Sequence, residues 1–162
     1  MSAESVWWQH RGRPPAQPVD PGQPGPDETF DTVVVGAGVT GLTTALALVR
    51  AGRSVLVVEA RHPGAVTTGR TTGKVSALQG TTLSSLTSKH GSGGRRRLEA
   101  YVESSVAARD WVAGFCEEHG VPAQRRDAVT YAAAPDEVPT VRDEHEAAAS
   151  LGLDVRWRGT PD

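Results

Sequence analysis

Cysteine is almost missing from this sequence: Cys116 stands alone among 162 residues. One cysteine excludes an internal disulfide and any multi-cysteine metal or iron–sulfur site built within the chain. Aromatic residues are also scarce, at 5% of the total. No apolar run approaches the roughly 20 residues that span a bilayer, and the N-terminus lacks the basic-then-apolar pattern of a signal peptide. Neither sign of charge dominates: 17 Lys and Arg stand against 19 Asp and Glu. That balance gives no electrostatic case for nucleic acid or for an anionic membrane. The expectation is a soluble, cytoplasmic protein with about one domain.

What the chain does have is glycine and proline, 18 and 11 residues. Six of the prolines (Pro14, Pro15, Pro18, Pro21, Pro24 and Pro26) fall before Asp27. No period of 2 or 3.6 runs through residues 1–27, which read as an extended Pro-rich arm. Trp7 and Trp8 are costly to leave in water, so the arm is expected to dock them on its own domain or on a partner.

Periodicity starts at Thr32. Thr32-Val33-Val34-Val35 is short, apolar and β-branched, as in a strand buried on both faces. Val39, Leu42, Leu46 and Val49 recur at three and four, which predicts a helix with that stripe as its inner face, stopped at Gly52. Val55-Leu56-Val57-Val58 is a second strand, and the three elements make a βαβ unit with parallel strands. Arg61–Lys74 reads as an ordered loop and 76–90 as a weak helix or irregular segment. Leu98, Val102, Ser105, Arg109, Val112 and Cys116 then mark a long helix from Arg95 that Gly120 and Pro122 end. Strands are predicted at Ala128–Ala133 and Asp154–Trp157, with a helix over Asp136–Leu151 between them.

The chemistry lies in Gly36-Ala37-Gly38-Val39-Thr40-Gly41. This G-x-G-x-x-G follows a strand and opens a helix, and Glu59 closes the next strand 23 residues after the first glycine, near the spacing of about 20 found in dinucleotide sites. Gly36 permits the tight turn, Gly38 lets a pyrophosphate approach the backbone, and Gly41 lets the helix pack on the sheet. Free N–H groups near Val39 and Thr40 face the phosphates. The Glu59 carboxylate accepts from the adenosine ribose hydroxyls and repels a 2′-phosphate, which disfavours NADP, although Arg61 tempers that exclusion. Between NAD and FAD, the segment after Glu59 decides for FAD. A nicotinamide domain would continue into another helix and strand, whereas Arg61–Lys74 has three glycines, a proline and no apolar face. It is suited to run along an extended dinucleotide.

The VVVGAGVTGL start, the VVEA strand end and the TTGRTTGKVS loop resemble the FAD-dependent oxidoreductases of the D-amino-acid-oxidase-like class. SVWW, TTGRTTGKVSALQG and RRDAVTYA more narrowly resemble a bacterial subgroup whose longer members carry a C-terminal Rieske-type domain. The resemblance implies an α/β fold: a Rossmann-like βαβ FAD/NAD(P)-binding core in 28–94, then in 95–162 the start of a mixed α+β substrate region. It implies a flavin enzyme acting on a small amine or amino-acid-like substrate, with the electron acceptor left open. Family members continue well beyond the length seen here, so the expectation is a truncated domain with no turnover of its own. The cofactor positions carried over are Gly36, Ala37, Gly38, Val39, Thr40, Gly41, Glu59, Ala60, Arg61, Thr68, Gly69, Arg70, Thr71, Thr72 and Lys74, and no catalytic residue is assigned. A nicotinamide-dependent dehydrogenase and a catalytically silent flavin-binding fragment are the alternatives.

Other constellations are weaker. Cys116 and His119 lie one helical turn apart, but two ligands make no metal site, and Cys116 is expected in the core. Arg95-Arg96-Arg97 reads as a solvated helix start, and Asp143, Glu144 and Glu146 as an exposed face.

Overall fold

Two short parallel strands and one helix form the first of two compact units. The computed structural model describes residues 24–25, 27–90 and 94–159, with the backbone alone for 88–90, so the expectation for Trp7 and Trp8 lies outside the described residues. The first unit ends at Lys74 and the second begins at Val75. Residues 75–90 and Gly94, expected to belong with the cofactor loop, therefore fall within the second unit.

Strand β1 (Thr32–Val35) pairs in parallel with β2 (Val55–Val58), setting Thr32 beside Val55 and Val35 beside Val58. A clasp closes one end. Ser54 N–H and Oγ–H donate to Asp31 Oδ2 at 2.9 and 3.1 Å, and Asp31 N–H donates to Ser54 Oγ at 3.0 Å. At the other end, Gly36 N–H donates to Val58 O at 2.7 Å and leads the chain into the glycine turn. Helix α1 (Val39–Arg50) returns the chain between the strands.

Of the predicted stripe its inner face keeps only Leu46, half-buried. Val39, Leu42 and Val49 are exposed, whereas Ala45 is buried and a Cβ built on Gly41 would lie 3.4 Å from Val34 Cγ1. Small residues win this face because they allow the helix closest to the sheet, and close approach outweighs the area a bulkier stripe would bury. The opposite sheet face stays open: Val33 is 54% and Val35 83% exposed, Val58 is exposed, and Leu56 is half-buried. Parallel sheets normally carry cover on both faces.

The second unit is helical. Helices α2 (Thr82–His90), α3 (Gly94–Glu118) and α4 (Val138–Ser150) meet at Leu83, Leu98, Val102 and Ala148, the buried core. The expected irregular segment thus contains a helix. The expected strands at 128–133 and 154–157 do not form, and the described residues of this unit contain no strand. Their composition is β-like, but a strand needs a ladder partner for its backbone groups, and none lies alongside. Val129 and Tyr131 are exposed, while Val155 packs on the helical core without pairing. The α+β character expected of this region is therefore absent among the described residues.

Three helices stop as predicted. Gly52, Gly120 and Gly152 have φ of +78°, +63° and +80°. The residue after each glycine donates to the carbonyl five positions back, as Arg53 does to Leu48 at 3.0 Å. Left-handed backbone at this position favours glycine. The long-helix stripe is only half used: Leu98 and Val102 are buried, but beyond Val106 the helix extends past the core. There Trp111, Phe115 and His119 stack on one another, with ring centroids 5.4 and 4.1 Å apart, and Cys116 is half-buried outside the core cluster. No helix among the described residues is long and apolar enough to cross a membrane.

Candidate functional site

The glycine turn begins where β1 ends. Gly36 takes φ +100°, and Gly38 follows in extended backbone (φ −83°, ψ −179°) as the residue before the first turn of α1. No side chain of the turn itself caps the helix, and its first turn holds no acidic residue. The helix itself thus offers no counter-charge at the positive end of its dipole. The first intrahelical bond runs from Leu42 N–H to Gly38 O at 2.9 Å, so the N–H groups of Val39, Thr40 and Gly41 lie in the region where helices lack internal acceptors. A Cβ at Gly41 would lie 2.0 Å from Gly36 O, a distance no side chain fits. The third glycine is a steric requirement of the turn itself.

Glu59 reaches this turn from the end of β2. Its Oε2 accepts from Ala37 N–H at 2.8 Å, and its Oε1 accepts from Arg61 N–H at 3.0 Å. These backbone donors, that of Ala37 foremost, hold the carboxyl below its ordinary pKa, and the nearby His62 acts in the same direction. An ionised carboxylate oxygen carries more than one acceptor site, so both oxygens can still accept from sugar hydroxyls while they brace the turn.

The loop after Glu59 folds back over the same turn. Residues 63–67 are turns and Thr68–Arg70 is a single 3-10 turn, so no regular α-helix forms in 61–74. Gly64 N–H donates to Ala37 O at 2.9 Å, and Val39 N–H donates to Thr68 Oγ1 at 2.9 Å. Gly38, Glu59, Gly64, Ala65, Val66, Thr67 and Thr68 enclose a cavity of about 210 Å³. That is below the 300–1,000 Å³ typical of a whole ligand site and suits part of a dinucleotide.

The structure therefore gathers Gly36, Ala37, Gly38, Val39, Gly41, Glu59, Arg61 and Thr68 around one turn. Ala60, Arg70, Thr71, Thr72 and Lys74 are exposed away from the cavity lining, and Gly69 is half-buried, its N–H donating to Gly64 O. Sequence reasoning missed the cavity-lining Ala65, Val66 and Thr67 and, hydrogen-bonded to the turn itself, Gly64. Its signal was the Pro63-Gly64 pair, a turn marker, and it takes φ +71°. Two expectations outside the site are corrected. Glu144 is buried, not on an exposed face, and accepts from Leu83 and Ser84 N–H at the start of α2. Cys116 is not a core residue. No group of three metal-binding side chains occurs among the described residues.

A family model for FAD-dependent oxidoreductases (DAO) matches residues 31–162. The chain belongs to this family. The match begins one residue before β1 and takes in the glycine turn, Glu59 and the loop. The chain is also 32% identical over 130 residues to YhfW of Bacillus subtilis (strain 168), a protein named for a Rieske 2Fe-2S iron–sulfur group. The aligned part is 79% of this chain and 25% of that relative, so the chain spans about a quarter of the relative's length. No solved structure matches it.

The residues present fit the adenosine-diphosphate half of FAD. The turn carries no side chain over Gly38, where a built Cβ already lies 3.2 Å from Thr68 Oγ1. The helix start supplies donors, and a single carboxylate stands at the end of the neighbouring strand.

Proposed function

We propose that this chain binds FAD through its first unit, with the pyrophosphate over Gly36–Gly41 and the adenosine ribose on Glu59. The observation that carries this reading is the convergence of the Glu59 carboxylate and the 61–74 loop on one glycine turn. Bound FAD supplies two-electron redox chemistry, and the protein's part is to hold it, orient it and tune it. The whole protein acts as an oxidoreductase on a small amine or amino-acid-like molecule, a class taken from the family resemblance. FAD is favoured over NAD because the loop after β2 is built of turns rather than a helix leading to a third strand. Glu59 disfavours a 2′-phosphorylated dinucleotide by charge.

The residues 1–162 alone bind FAD weakly and do not turn over. The exposed face bearing Val33, Val35 and Val58 supports this reading, and so does a cavity large enough for only part of the cofactor. One cysteine also leaves no room for a Rieske ligand set within the chain. Titrating the purified chain with FAD and following flavin fluorescence tests the reading. Saturable quenching without amine-dependent bleaching is expected. Tight yellow protein that oxidises an amine overturns the inactive half of the proposal, and saturable binding of NAD but not of FAD overturns the cofactor.

A further inference from the structure

Residues 128–133 carry a β-like sequence without a ladder. From Val121 to Ala132 the chain has no helix, turn, bend or bridge. No main-chain hydrogen bond joins residues 122–132 to another described residue. The run is nevertheless held in place. Val121 N–H donates to Cys116 O at 2.8 Å at one end, and Ala133 N–H donates to Glu137 Oε2 at 2.7 Å at the other. Between them the Thr130 hydroxyl donates to Gly80 O at 3.4 Å. Val129 and Tyr131, on either side of Thr130, are 71% and 75% exposed. Folded proteins guard such edges with a proline, a charge or a cover, and residues 128–134 hold neither proline nor charge. A main chain fixed at both ends, with its donors and acceptors free, is a template for a second strand.

The charges around the run select its occupant. Arg125 and Arg126 precede it, Asp136 and Glu137 follow it, and all four are exposed. No acid among the described residues bridges to either arginine: Arg126 donates to Gln124 Oε1, and the neighbouring Asp127 faces Arg158 at 3.9 Å. A second copy laid antiparallel sets the basic end of each run beside the acidic end of the other. A parallel copy would set like charges together. With the two-fold axis at Thr130, Val129 of each copy lies directly opposite Tyr131 of the other, a stabilising pair of β-branched and aromatic side chains. Every contact of such a pairing occurs twice. We propose that Ala128–Ala132 is a self-association edge, at which two copies of this chain join antiparallel in a two-stranded ladder centred on Thr130. The edge lies within the second unit, and the inference does not depend on the dinucleotide reading.

Sedimentation velocity of residues 1–162 over a range of concentrations tests this. A monomer–dimer equilibrium is expected, and a monomer at every concentration overturns the proposal. Successive amides of a strand point to opposite edges, so one of Val129→Pro and Thr130→Pro removes a ladder donor from each copy. At least one of the two is expected to raise the dimer dissociation constant by about tenfold or more, because the bond is lost twice. A dimer that neither variant weakens, such as one formed through the open sheet face of the first unit, overturns the proposal. Arg126→Glu and Asp136→Arg are each expected to weaken the dimer, and the double variant, with the charges exchanged, to restore it. Both side chains are exposed, and far-ultraviolet circular dichroism checks that the helices of each variant are intact. A double variant that binds no tighter than either single variant overturns the antiparallel pairing. That comparison decides if a proline variant fails to fold.

Discussion

Glu59 Oε2 accepts the Ala37 N–H at 2.8 Å, tying the end of β2 to the glycine turn 22 residues earlier in the chain. The same carboxylate holds Arg61 N–H at 3.0 Å, so one side chain fixes both the turn and the start of the loop that covers it. Replacing Glu59 with Ala removes an anionic acceptor from both. FAD affinity, read by fluorescence titration, is expected to fall by about tenfold, with an affinity equal to wild type counting against the ribose contact.

The pH dependence of this clasp has a definite sign. The Glu59 pKa is lowered in the folded chain, chiefly by the Ala37 N–H. Its contribution is therefore complete above the ordinary carboxylate range and is lost as pH falls through the depressed folded value. Amide exchange at Ala37 and Arg61 is expected to stay protected through neutral and mildly acid pH and to open only below the usual carboxylate range. In Glu59→Gln that acid transition disappears. Loss of protection near neutral pH would contradict the assignment.

Gly41 and Gly114 are both helical glycines with opposite predicted outcomes. A Cβ at Gly41 meets the Gly36 carbonyl oxygen at 2.0 Å, and backbone has little freedom to yield. Gly41→Ala is expected to destabilise the first unit by about 1–3 kcal/mol or more. Gly114, inside α3, has nothing within 4 Å of a built Cβ. Gly114→Ala is expected to stabilise the second unit by about 0.5–1 kcal/mol. Urea unfolding of the two variants checks both signs.

Glu144 is 4% exposed and accepts from Leu83 N–H at 3.1 Å and Ser84 N–H at 2.7 Å. A carboxylate on α4 thus satisfies two orphan donors of α2 and complements that helix's positive end. Glu144→Ala leaves the buried Leu83 donor and the half-buried Ser84 donor without that partner and is expected to cost about 2–3 kcal/mol. The denaturation midpoint of the second unit measures it, and a change below about 0.5 kcal/mol would mean that water replaces the cap.

Burial divides the apolar residues just as sharply. Leu83 is 1% exposed at the centre of the helical core, while Val35 is 83% exposed on the open sheet face. Leu83→Ala is expected to cost about 2–5 kcal/mol and Val35→Ala less than about 0.5 kcal/mol. A large loss for Val35→Ala would show that this face is covered within the chain.

Several features follow from the sequence by itself. The glycine spacing, the acidic residue at the end of β2, the βαβ order and the helix stops at Gly52, Gly120 and Gly152 are local. Each is set by backbone sterics or by patterning within a few residues, so they can be read without knowing what packs where. The long helix from Arg95 was legible for the same reason.

Tertiary structure decided the rest. Which stripe of α1 faces inward depended on how closely the helix could approach the sheet, and Gly41 and Ala45 were chosen over the bulkier Val39 and Leu42. The β-like run of residues 128–133 stayed unpaired because strand formation needs a neighbour that local composition cannot supply. Glu144 looked like one of three solvated acids, yet two amides from a helix distant in sequence made it a buried cap. Thr68 was one threonine among many in a polar loop until folding set its hydroxyl against the Val39 amide. In each case the deciding partner lies far along the chain, and only packing brings its atoms within range.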